Sequence, residues 1–294
     1  MASTIHRRSI EPSDAERIGS VRNFLTQIEA YPKDTDHVYF FRGHSSFTYK
    51  PVPSIFRNPG WIANEDILFK ELILRCPNDF GSEKSTFQTL VRMQHYSLPT
   101  RLLDITSNPL IALYFASETG SPINESGEVL AFRVPKRELK YFDSDTVSVI
   151  SNISRRPSSF DAGDPTAAIT KLNKQDDIKL LLHEIRSEKP YFEAKIVPAH
   201  LHSVVCVKPK MDNARIIRQD GAFFLFGVGA NKSEAALLPP TYMLAKSSPR
   251  LLIKREDKAN IRNQLESLGI TKGTIYPEIE RVAEYIKEIY ATKT

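Results

Sequence analysis

The chain has 294 residues, 41% hydrophobic and 26% charged, with a net charge of +5, an ordinary globular balance that can bury a sizeable core without disulfides or metals. No apolar run reaches the roughly 18 residues of a membrane-spanning helix, and no apolar stretch follows the basic N-terminus, so neither a span nor a secretory signal is expected. Cys76 and Cys206 sit in apolar settings without metal-ligand spacing, which predicts two buried thiols in a reducing, cytoplasmic setting and no metal site.

Ser13 followed by Glu16 reads as a capping box. Ile18, Val21, Leu25 and Ile28 then recur at helical spacing, so a helix is expected over residues 14–30 within an N-terminal region 1–34. His37 to Phe41 is short, aromatic and β-rich, hence a buried strand that ends at Arg42-Gly43-His44. Residues 45–60 carry three prolines and read as loop; 65–76 and 84–96 read as helices. Asn108 caps a further helix with Pro109 at its first position. That helix, to Ser117, is nearly all apolar and should be buried on all sides. Glu128 to Val134 is a strand. Residues 143–177, rich in Ser, Asp, Asn and Pro without a sustained period, read as a long loop or mobile insertion. A helix follows near 177–187. His202 to Lys208, Arg215 to Phe226 and Arg250 to Lys254 read as strands, the second interrupted by Gly221. Two helices close the chain over 257–294, the first stopped by Gly269 and the second opened by Pro277. Helices, scattered strands, then helices, without regular βαβ alternation, predict a single α+β domain over 1–294.

The positive excess is uneven: residues 131–218 hold 16 Lys/Arg against 11 Asp/Glu. This fits either an anionic partner such as a nucleic acid or a basic solubilising surface.

Three blocks can carry chemistry. In Phe40-Phe41-Arg42-Gly43-His44, an Arg at the end of a buried strand is costly to desolvate unless it meets an anion, which can be a bidentate ligand or a structural Asp. Gly43 lets a ligand or another backbone approach closely. In Gln94-His95-Tyr96-Ser97-Leu98-Pro99-Thr100-Arg101-Leu102-Leu103-Asp104, polar side chains crowd a turn ahead of an apolar helix. His95 can act as acid, base or hydrogen-bond donor to a ribose. Tyr96 can stack on a flat ring. Arg101 and Asp104, three apart, can pair with each other. In Arg215-Ile216-Ile217-Arg218-Gln219-Asp220-Gly221, strand alternation would put Arg215, Ile217 and Gln219 on one face. Gln219 offers an uncharged donor and acceptor, for a ligand or for backbone. Phosphate-loop, dinucleotide, zinc-protease and α/β-hydrolase motifs are absent.

Together these blocks resemble the FRG domain family. Phe41-Arg42-Gly43 matches the tripeptide that names it. Gln94 to Asp104 with Thr106, Pro109 and Ala112 to Ala116 resembles its central signature, and Arg215, Gln219, Gly221 and Phe223 its late one. Ser97 stands where many members have Gly, Ile105 where Trp is frequent, and His44 where Gln is common. The family layout is similar to the ADP-ribosyltransferase superfamily, which places Arg or His on an early strand, a Ser, Thr or Tyr element before a helix, and Glu or Gln on a late strand. The resemblance implies an ADP-ribosyltransferase-like fold with a mixed, largely antiparallel sheet. It implies NAD as substrate, with Arg42, His95 and Gln219 catalytic. Arg42, Gly43, His44, Tyr96, Thr100 and Arg101 would bind NAD, with Asp104 and Arg215 as further candidates. It also implies a toxin or phage-defence role, a neutralising antitoxin partner and, with the basic middle segment, a nucleic-acid acceptor. The other reading is a non-catalytic module that binds a nucleotide or nucleic acid.

Overall fold

The computed structural model describes residues 15–119, 125–244 and 250–291. Eight strands make one mixed sheet: β1 (Glu16–Arg17), β2 (His37–His44), β3 (Leu102–Thr106), β4 (Gly127–Pro135), β5 (Lys140–Tyr141), β6 (Val204–Lys208), β7 (Gly221–Phe226) and β8 (Leu251–Ile253). Their order is β1-β8-β4-β2-β3-β7-β6-β5. The two edge pairings, β1 with β8 and β5 with β6, are parallel and the rest antiparallel. The expected α+β class and largely antiparallel sheet are therefore found.

One junction in this sheet differs from the others. β2 pairs with β4 along its whole length, from His37 opposite Pro135 to His44 opposite Glu128, and β3 pairs with β7 throughout. Between β2 and β3 the only register pair is Phe41 opposite Thr106. The sheet is thus two halves joined at a seam, and the packing follows the division. Alternation along the strands sends Phe41, Val129, Leu251 and Ile253 into a cluster with Phe24, Leu113 and Ile261. On the same face of the other half, Val205, Val207, Phe223 and Leu225 pack with Phe87, Leu90, Val147 and Leu181. The opposite face bridges the seam: Phe40, Phe132, Leu103, Ile105 and Phe224 share one cluster with Tyr242. This is the period-two logic of a strand whose two faces are both buried.

Several expectations are corrected. The first helix is Val21–Glu29, capped by Ser20, because Glu16 and Arg17 are drawn into β1 beside β8; Ser13 lies outside the described residues. Residues 45–60 contain a 3-10 turn at Ser54–Arg57, and a helix begins at Pro59 and runs to Ala63. Residues 143–177 are not an open loop. They include the helix Asp145–Asn152, in which Thr146 to Asn152 are all buried. The serines that suggested a loop bond the helix backbone instead: Ser151 Oγ donates to Val147 O at 2.6 Å, and Asn152 Nδ2 to Ser148 O at 2.9 Å. Such self-satisfaction lets polar side chains enter a core. Residues 214–218 are helical, not extended. Asn213 caps this turn, its Oδ1 accepting from Arg215 N at 2.8 Å. No helix of the described residues is long and apolar enough to cross a membrane.

Candidate functional site

Where β2 and β3 part, a cleft of about 150 Å³ opens, lined by Phe41, Arg42, Gly43, Asp104, Ile105, Thr106, Phe115, Arg215 and Gln219. All three polar blocks thus contribute to one place.

Arg42 sits in the seam itself. Its Nη1 donates to the carbonyl of Asp104 at 2.5 Å, a backbone acceptor left without a β2 partner by the parting of the strands. Its Nε donates to His44 Nε2 at 2.9 Å. The Asp104 carboxylate stands 4.0 Å from Nη1 and is itself half-exposed. Burial pulls the Arg42 guanidinium down to about 10, partly countered by Asp104, so it stays charged at neutral pH.

Gly43 serves the fold. A Cβ on it would lie 1.9 Å from Ala112 O and 2.6 Å from Ala116 N. The close partner is therefore the backbone of the Pro109–Ala116 helix, which crosses β2 at this point. Asn108 and Pro109 start that helix as expected, Asn108 Oδ1 accepting from Leu110 N at 3.0 Å.

The central block reaches the cleft through the end of the Thr86–His95 helix. That end closes with paired bonds from Leu98 N to Met93 O (3.1 Å) and Ser97 N to Gln94 O (2.9 Å), with Ser97 at φ 62°. This is the C-terminal motif that normally takes glycine. Gln94 Nε2 donates to Asp104 Oδ2 at 2.7 Å, and Gln94 Oε1 accepts from the Thr100 hydroxyl. A chain of contacts thus runs Thr100, Gln94, Asp104.

The late block presents Arg215 and Gln219 on one side of the short 214–218 helix, four residues apart as helical spacing requires. The Ile275–Glu278 segment docks on that side. Gln219 Nε2 donates to Ile275 O at 3.1 Å. Arg215 lies over the Tyr276 ring at 5.0 Å and pairs with Glu278 at 3.5 Å. Beyond Arg215 a wider groove of about 740 Å³ continues past His95, Tyr96, Lys272, Tyr276 and Glu278. His95 lines this groove and not the cleft. Burial lowers its imidazole to about 4, helped by Arg215 and opposed by Asp104 and Glu278, so it is neutral at pH 7. Tyr96 is 56% exposed and free to offer its ring face.

Three residues expected to touch a cofactor are out of its reach. Arg101 is wholly buried. It does not pair with Asp104, because in an extended chain residues three apart face opposite sides of the sheet. Its partners are Glu65 (Nε–Oε1 2.8 Å, Nη2–Oε2 2.5 Å) and Phe226 O (2.8 Å), with Lys232 3.1 Å from the same carboxylate. Thr100 is buried and spends its hydroxyl on Gln94. His44 is 3% exposed and touches Arg42, not the cleft. Sequence reasoning missed Gln94 as a link, and it missed the Tyr276–Glu278 wall, which carries no local sign of its distant partner. Among the described residues no group of three His, Cys, Asp or Glu could hold a metal.

A seamed mixed sheet, with a charged arginine on one parting strand and an amide from the turn ahead of β7, defines a small polar cleft. Residues 37–125 match the family model of the FRG domain. The match contains Arg42 and the central block; Arg215 and Gln219 lie beyond it. Neither a curated protein nor a solved structure matches the chain.

Proposed function

We propose that the cleft binds NAD and that the protein transfers ADP-ribose to an acceptor, a nucleic acid before a protein, acting as a cytoplasmic toxin in bacterial or phage defence. The observation that carries this reading is that Arg42 and Gln219, from opposite halves of the sheet, line one cleft. The order of Arg, His/Tyr and Gln elements is similar to that of the ADP-ribosyltransferases. The cleft alone is smaller than the roughly 300–1,000 Å³ usual for ligand sites. With the groove that shares Arg215 it has room for both halves of a dinucleotide.

On this reading Arg42 Nη2 holds a phosphate or ribose oxygen, His95 bonds the ribose, Tyr96 stacks on nicotinamide and Gln219 Oε1 accepts from the ribose 2′-hydroxyl. The glycosidic bond breaks with its electron pair going to the pyridinium nitrogen, so nicotinamide leaves neutral. The acceptor bonds the ribose C1 carbon and gives up a proton to solvent. Positioning and charge stabilisation supply the rate in such a step, and no strong nucleophile from the protein is needed.

The test is purified protein with labelled NAD and total RNA, DNA and protein. The reading requires nicotinamide release together with label in an acceptor. Gln219→Ala should lower transfer more than NAD binding, since its role is in the transition state. Expressed without a neutralising partner, the wild type should arrest growth and Arg42→Ala should not. Glu284→Ala, half-exposed on the last helix, should arrest as the wild type does. Folded, toxic protein that releases no nicotinamide with any acceptor would instead favour a non-catalytic nucleotide-binding module. The one acid lining the cleft, Asp104, is already engaged by Gln94, which is the observation on that side.

A further inference from the structure

Arg42 is held in an unusual way for a buried cation. Buried arginines normally find a carboxylate, as Arg101 does with Glu65, because an unneutralised charge is expensive to bury. Arg42 hydrogen bonds instead to two uncharged acceptors, the Asp104 carbonyl on Nη1 and the His44 ring on Nε, while the half-exposed Asp104 carboxylate stands 4.0 Å from Nη1 as its ion-pair partner. Its Nη2 makes no hydrogen bond to the described residues, and Arg42 lines the cleft.

The bond from Arg42 Nε to His44 Nε2 fixes the ring chemistry. An arginine Nε always carries its proton, so Nε2 must be the acceptor and the imidazole must carry its single proton on Nδ1. A second proton on Nε2 would set two donors face to face. The surroundings reinforce the neutral ring, while its Nδ1 is buried and meets no hydrogen-bond partner among the described residues. Burial and then Arg42, Arg57 and Arg250 push the imidazole down to about 3. These cations come from β2, the Ser54–Arg57 turn and the residue ahead of β8. Tyr49 sets its ring edge-on at 6.1 Å. Across the ladder from His44 stands Glu128, whose Oε1 accepts from Arg250 and whose Oε2 has no partner.

We infer that His44 is a positioning residue that aims Arg42 at the cleft as an uncharged acceptor, adding no further negative charge beside the guanidinium. A carboxylate in its place would add a second anion to the Asp104 carboxylate 4.0 Å away, and a hydrophobic residue would let the guanidinium swing onto that carboxylate. This inference rests on the reading of Arg42 as the anion-holding group, and its direct test does not depend on NAD turnover.

Nitrogen-15 NMR of the intact protein at pH 7 should show His44 neutral, with Nδ1 protonated and Nε2 bare, and an Arg42 Nε–H resonance protected from exchange. A ring protonated on Nε2, or an Arg42 Nε–H in fast exchange, overturns the inference whatever the enzyme does. Inorganic pyrophosphate is the binding probe. His44→Leu should lose the Nε–H protection and weaken pyrophosphate binding about tenfold, the worth of a hydrogen bond to a charged group. His44→Gln, whose amide oxygen can also accept from Nε, should restore both. Wild-type affinity in folded His44→Leu overturns the positioning role. Pyrophosphate that binds as tightly to Arg42→Ala as to the wild type overturns the anion role while leaving NAD cleavage to be judged by nicotinamide release. Should His44→Leu fail to fold, the wild-type tautomer and the His44→Gln affinity still decide.

Discussion

Gly43 and Ala112 lie so close that a single added carbon between them would sit 1.9 Å from the Ala112 carbonyl oxygen. The conflict is with backbone on both sides, since Ala116 N would be 2.6 Å away, so no side chain can move to relieve it. Gly43→Ala is therefore expected to destabilise the fold by about 3 kcal/mol or more through overpacking. A lower urea midpoint at unchanged slope would show it, and a midpoint within error of wild type would mean that helix and strand are not in contact as described.

Ser97 offers the converse case. Its φ of 62° costs a residue with a Cβ roughly 1–2 kcal/mol, of which glycine's greater freedom when unfolded takes back a part. Ser97→Gly should stabilise the protein by up to about 1 kcal/mol, read as a higher thermal midpoint. A fall in the midpoint would show that the serine hydroxyl contributes something beyond the backbone turn.

Glu65 serves two buried cations at once, Arg101 and Lys232. Glu65→Gln keeps the volume and removes the carboxylate that both cations bond. A loss of about 3–5 kcal/mol is expected, as for breaking a buried ion pair from one side. The double variant Glu65→Gln with Lys232→Met should recover part of it, because it leaves one buried cation and not two. Equal stability of the single and double variants would argue against a shared cluster.

His44 and His95 are both held neutral by burial. The unfolded chain takes up protons at these sites below about pH 6.5, while the fold resists until about 3 and 4. Their contribution is thus complete above pH 6.5 and is lost as pH falls. For His44 the loss between pH 7 and pH 4 is on the order of 3 kcal/mol. Denaturation curves across that range should show His44→Gln with a flatter acid slope than wild type; parallel slopes would mean that the imidazole titrates in the fold.

How far the sequence could be read depended on whether each signal was local. The cap at Asn108, the proline after it and the greasy run to Ala116 are neighbours in the chain, and the helix formed where they pointed. The stop at Gly269, with φ 78°, was legible for the same reason. Ile216-Ile217 looked like strand, yet Asn213 was already a cap and its bonds to Arg215 N and Ile216 N won. Around residues 143–177 composition misled, because Ser151 and Asn152 satisfy themselves within a helix. The partner of Arg101 could not be read at all. Glu65 lies on another element, and only the folded chain decides between it and the adjacent Asp104. The convergence of Arg42 with Gln219 was expected from the cost of stranded polar groups, but the seam that gives them a cleft is a property of register, which has no local sign.

That seam also bears on synthesis. The family-matched stretch, residues 37–125, contains β2 and β3, which share one register pair. The ladder that completes β2 begins at Gly127 and the one that completes β3 at Gly221. The first strand must wait longer still, for Leu251 and Leu252. A chain emerging from the ribosome therefore carries unpaired strand edges until Leu252 has been made. High contact order of this kind slows folding and exposes the nascent protein to aggregation. Residues 37–125 hold Arg42 and the Gln94–Asp104 block but no completed sheet ladder, so the matched stretch depends on strands beyond it to become a folded body.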